Sequence, residues 1–183
     1  AGFEQILRMT WRSRFTEMQR SHELYCLGHL LQAAIAYYRA TGKRQFLDAV
    51  LRAVDLVDGT FGAADGKIRG YDGHPEIELA LVKLYRATGE RRHLDLAEYF
   101  VTERGRQPSF FAQEAERVAK DKITTFGWSQ GRYEYVQAHK PIVEQEEAVG
   151  HAVRALYLYS GAADVAAETG NAELLAACKR LWR

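Results

Sequence analysis

Hydrophobic positions recur every three to four residues along most of the chain, the period of amphipathic helices. The least charged stretch is 21–38, where no charged residue occurs between Leu24 and Tyr38. On a helix over 22–41, Leu24, Leu27, Leu31, Ala34, Ile35 and Tyr38 share one apolar face. The opposite face carries His22, Cys26, His29 and Ala33, within about 60° of one another on the helical wheel. A helix uncharged on both faces is expected to be buried on both, packing on one side and facing a pocket with the other. It is too short for a membrane span, and its Gln and His argue against one as well.

The same periodicity predicts a helix over 3–20 (Phe3, Ile6, Leu7, Met9, Trp11, Phe15, Met18) and another over 44–61 (Phe46, Leu47, Val50, Leu51, Val54, Val57). Further helices are expected over 76–88, 91–104, 142–160 and 161–169, with a polar one near 112–122 and a last one from about Asn171 onward. The glycine-dense segment 62–73 reads as loop, and 126–135 as an irregular aromatic stretch. Gly42 and Gly89 suit helix stops, and Pro75 suits a helix start. No strand pattern is present. Tyr38-Arg39-Ala40-Thr41-Gly42 recurs as Tyr85-Arg86-Ala87-Thr88-Gly89, with a weaker echo at Glu168-Thr169-Gly170. Each unit is a buried helix, a Thr-Gly stop and a more amphipathic helix. Repeated helical hairpins of this kind build either a solenoid or a closed α/α toroid.

At 183 residues, 47% hydrophobic and 27% charged, the chain is expected to form one domain, 1–183, with a core of its own. A net charge of +1, without a basic run longer than two residues, argues against nucleic-acid and membrane-surface partners. Two cysteines, Cys26 and Cys178, make no disulfide framework and fit a reducing compartment, so a cytoplasmic location is expected.

His22, Cys26 and His29 lie at i, i+4 and i+7 and could be read as a zinc set. The metalloprotease pattern nearest to them is unmet, because Cys26 stands where a second His is needed. No metal site is expected in the chain. His22, His74 and His151 stand at the starts of, or inside, the least charged helices. They suit either three separate core positions or a pocket for a polyhydroxyl ligand, since neutral imidazoles donate and accept hydrogen bonds. Trp128, Tyr133, Tyr135, Tyr157 and Tyr159 could stack on sugar rings or fill the core. The carboxylates Glu76/Glu78 and Glu144/Glu146/Glu147 sit at expected helix starts, where negative charge is favourable without any catalytic role.

Four blocks in order resemble the glycoside hydrolase family 127 (DUF1680-type) β-L-arabinofuranosidases. They are Ser21-His22-Glu23-Leu24-Tyr25-Cys26-Leu27-Gly28-His29-Leu30, Gly73-His74-Pro75-Glu76-Ile77-Glu78-Leu79, Gln137-Ala138-His139-Lys140-Pro141-Ile142-Val143 and Ala148-Val149-Gly150-His151-Ala152-Val153-Arg154. The resemblance implies an all-α fold of helical hairpins, part of an (α/α)6 barrel. It implies a retaining glycosidase that releases terminal L-arabinofuranose, using a zinc-bound cysteine nucleophile and a glutamate acid/base. It also implies that His22, His74 and His151 contact the sugar. The family's Glu-x-Cys and Cys-Cys zinc motifs have no counterpart at Cys26 or Cys178. The chain is therefore expected to hold sugar-contact residues without the reacting groups, to be inactive alone, and to be an N-terminal, truncated part of the catalytic domain. A partial barrel exposes apolar faces, so self-association is expected too. Two other readings stay open: a different α/α-toroid sugar enzyme (an epimerase or unsaturated uronyl hydrolase), and a helical-repeat interaction module.

Overall fold

Threonine–glycine pairs end three of the helices and set the architecture. The computed structural model describes residues 14–121 and 131–183. Among these the protein is all-α: α1 Glu23–Thr41, α2 Gln45–Thr60, α3 Ile77–Thr88, α4 Arg91–Glu103, α5 Phe110–Asp121, α6 Ala152–Thr169 and α7 Ala172–Leu181. Single 3-10 turns lie at Glu134–Val136 and Ile142–Glu144, and the extended pairing is one isolated bridge, Phe61 to Ile68. At the ends of α1, α3 and α6, Gly42, Gly89 and Gly170 take left-handed φ values of 70°, 75° and 70°. The preceding Thr hydroxyls donate back to Tyr37 O, Leu84 O and Val165 O. This stop reverses the chain within a few residues, so α1/α2, α3/α4 and α6/α7 are three helical hairpins.

The hairpins stack in two layers. α3 packs between α1 and α6, while α2, α4 and α7 lie behind them, with α4 touching both α3 and α6. Glycines permit the close approach of the inner helices: a Cβ on Gly28 of α1 would meet Glu76 and Ile77, and one on Gly161 of α6 would meet Glu78 and Leu79. The core between the layers holds Leu24, Leu31, Ile35, Leu47, Val54, Leu81, Leu84, Leu94, Phe100, Leu158 and Val165. Each such side chain contributes about 1.5–3 kcal/mol by leaving water.

The apolar face expected of α1 is inside the core or packed against it. Its other face is not buried: His22, Cys26, His29 and Ala33 are exposed. The helix expected over 3–20 falls largely outside the described residues, and 14–20 are turns. The continuous helix expected from 142 does not form; residues 145–151 are irregular and α6 starts at Ala152. Gly150 explains the break, with φ at 79° and no room for a Cβ, which would meet the backbone of Glu134 and Tyr135. From there α6 runs unbroken to Thr169. Of the aromatic stretch, 126–130, including Trp128, lies outside the described residues.

Candidate functional site

Each inner helix presents a histidine at its N-terminal end, and the stacking of the hairpins brings these ends together. His22 precedes α1, His74 lies three residues before α3, and His151 is the N-cap of α6. The His22 and His74 rings are 5.5 Å apart, and those of His74 and His151 6.1 Å. All three histidines singled out from the sequence thus form one cluster, across separations of 52 and 77 residues along the chain.

The ring protons of two of them follow from their partners. His74 Nδ1 lies 3.0 Å from Pro75 O, a carbonyl that can only accept, so Nδ1 carries the proton and Nε2 is left as an acceptor. His151 Nδ1 accepts from Arg154 N at 3.4 Å, which places the proton of the neutral ring on Nε2, a donor. Burial pushes His74 down to about 4, helped by the charge of Arg154 and opposed by the Pro75 contact. Burial, then Arg154, lowers His22 as well. His74 is therefore neutral at physiological pH.

Aromatic side chains continue the cluster along α1 and α6. The Tyr25 ring sits 4.3 Å from His74 and 4.5 Å from His29, and Tyr157 is 5.8 Å from His29 and 6.0 Å from His74. Tyr135 is 5.4 Å from His151, and the Arg154 guanidinium stacks over the Tyr135 ring at 4.9 Å. Tyr133, Tyr135 and Tyr159 are half-buried against the core, and of the five aromatic candidates Tyr135 and Tyr157 have their rings beside the clustered histidines.

Beneath the histidines lies a buried polar layer that the residue pattern did not disclose. The segment 71–76 is wholly buried. Asp72 accepts from Tyr25 N at 2.9 Å and His74 N at 3.2 Å. Arg104, fully buried, donates to Asp72 O, Val136 O and Glu78 Oε1 and stacks on Tyr71 at 4.8 Å. Glu76 Oε1 accepts from Gln32, whose own oxygen accepts from Lys83 Nζ, and Glu76 Oε2 is buried without a partner. Burial, the largest influence on each, raises Asp72 and Glu76 to about 7. Glu76 and Glu78 do stand where α3 begins, as expected, but as buried members of this layer. Glu144, Glu146 and Glu147 are exposed and head no α-helix. Asp72 gave one sequence signal, an acidic residue between Tyr71 and Gly73 just ahead of His74; Arg104 gave none.

The cysteines do not fit a zinc–thiolate centre. Cys26 is exposed on α1, Cys178 lies on outer helix α7, and burial raises both thiols. Among the described residues no group of three or more His, Cys, Asp or Glu side chains could hold a metal ion. No helix among them is long and apolar enough to cross a membrane.

Stacked helical hairpins with a histidine cluster at the ends of the inner helices make the described residues a segment of an α/α toroid. The chain belongs to the GH127 β-L-arabinofuranosidase family: the catalytic-domain profile of that family matches residues 2–183. It is 43% identical to a non-reducing end β-L-arabinofuranosidase of Bifidobacterium longum subsp. longum, over 98% of this chain and 27% of that protein. A crystallised GH127 β-L-arabinofuranosidase from Geobacillus stearothermophilus T6 superposes with a TM-score of 0.85 at 50% identity, over 92% of this chain and 26% of that one. A second solved GH127 β-arabinofuranosidase gives 0.76 at 41% identity, over 94% of this chain and 24% of that one. The chain thus spans about a quarter of the length of these relatives. Family membership sets aside the interaction-module reading.

Proposed function

We propose that this chain supplies the sugar-contacting face of a retaining β-L-arabinofuranosidase, with His22, His74 and His151 binding the hydroxyls of a terminal L-arabinofuranosyl unit. One observation carries the reading most directly: His74 offers an acceptor at Nε2 and His151 a donor at Nε2, within one cluster. A sugar hydroxyl both donates and accepts, so neutral rings of opposite polarity suit it better than charged groups. The names of the relatives point to the same substrate class.

In this reading residues 1–183 are part of a single catalytic domain. Its zinc-bound cysteine nucleophile and acid/base glutamate belong to chain beyond Arg183, and the 183 residues alone are inactive. When bound, zinc keeps the attacking thiol ionised. The residues of this chain bind and orient the furanose. The partner is an arabinofuranosyl-containing glycan or glycoside, and the two free cysteines support a cytoplasmic location. The exposed apolar side chains of α1 and α6 support self-association of the isolated chain.

The test is hydrolysis of a chromogenic β-L-arabinofuranoside, with zinc and a reductant, by this chain and by a longer chain extending past Arg183. Turnover is expected from the longer chain alone. Turnover by the 183 residues would overturn the assignment of the reacting groups, and silence from both would overturn the substrate.

A further inference from the structure

Asp72 is one of the most completely buried side chains near the site, and its two carboxylate oxygens are used by two different elements. Oδ2 accepts from the backbone N–H of Tyr25, in the first turn of α1, and Oδ1 from the N–H of His74. The N-cap position of α1 is His22, whose side chain makes no capping hydrogen bond. A helix start leaves several N–H groups without partners, and a side chain at the N-cap ordinarily takes one of them. Here the acceptor arrives from a residue 47 positions later in the chain.

The carboxylate thus joins the residue after His22–Glu23–Leu24 to the backbone of His74. Its own main chain is pinned in turn: Arg104 Nη2 donates to Asp72 O at 2.7 Å, and the neighbouring Gly73 N donates to Met18 O at 2.7 Å. Neither bond touches an imidazole: the carboxylate holds the backbone of Tyr25 and His74, and the His74 ring, with Nδ1 on Pro75 O, keeps Nε2 for a ligand. We propose that Asp72 is a positioning residue of the sugar site: it caps α1 from the α3 side and thereby sets the spacing of His22 and His74. The inference rests on the sugar-binding reading for its consequence, but its structural content is independent of it. An amide at this position keeps the size of the side chain yet can serve only one of the two N–H donors, since its nitrogen is itself a donor.

The experiment compares Asp72→Asn, and Val54→Ala as a core truncation in outer helix α2, in the 183-residue chain. The first readout is the imidazole NMR signals of His22 and His74 without ligand; the second is the affinity for methyl β-L-arabinofuranoside. In Asp72→Asn both sets of signals shift and affinity falls about tenfold or more, the size of one misaligned sugar hydrogen bond. In Val54→Ala, thermal stability drops while signals and affinity hold. Unchanged histidine signals in Asp72→Asn, or equal shifts in Val54→Ala, would overturn the positioning role. Failure of the unsubstituted chain to bind the glycoside would instead count against the sugar-binding reading, leaving the histidine signals to decide the role of Asp72.

Discussion

A Cβ on Gly28 would overlap Glu76 Oε2 and lie 3.2 Å from the Ile77 α-carbon, and Glu76 has no solvent route by which to withdraw. In an exposed helix, glycine to alanine gains about 1 kcal/mol. Here overpacking of a buried carboxylate outweighs that gain, so Gly28→Ala is expected to destabilise the chain by about 1–3 kcal/mol. Thermal unfolding monitors the loss. Combining Gly28→Ala with Glu76→Ala should cost less than the two changes summed, because the second removes the group the first displaces. The histidines were legible as residues because neutral imidazoles stand out in uncharged stretches. Their tautomers were not, since these depend on Pro75 O and Arg154 N.

Between elements, Glu114 of α5 performs a tie similar to that of Asp72. It accepts from Met18 N at 2.6 Å and Gln19 N at 3.0 Å, fastening the 14–20 turns to the fold. Burial raises this carboxyl to about 7 from 4.5, against the two backbone donors, Gln19 and Met18, that favour ionisation. A folded-state value above the unfolded one means the native chain holds the proton longer. The stabilisation is complete below about 4.5 and is lost as the pH climbs through about 7. Measured against Glu114→Gln, wild-type thermal stability should therefore decline across that interval, and a flat difference would contradict the assignment. At this scale the Thr-Gly repeats marked every hairpin correctly, because a left-handed glycine after a helix is a local requirement. The helix expected over 142–160 begins at Ala152, because Gly150 has a left-handed φ and a Cβ there would meet the backbone of Glu134 and Tyr135, a closeness that periodicity does not register.

For the molecule as a whole, the inner helices leave large apolar side chains in water: Leu30 of α1 is 46% exposed, and Val153 and Leu156 of α6 are 47% and 57% exposed. They lie on the two helices that pack on either side of α3. Sedimentation of the 183-residue chain should show concentration-dependent association, and Leu156→Glu should weaken it without lowering the unfolding temperature. A clean monomer across a wide concentration range would contradict the proposal. Helical class, hairpin order and the apolar face of α1 were written in the spacing of side chains, because helix period and glycine stops act over a few residues. The placing of Asp72 under Tyr25 and His74 and the burial of Arg104 came from contacts between residues far apart in the chain. Such contacts exist once hairpins have stacked, and local periodicity carries no record of which surfaces will meet.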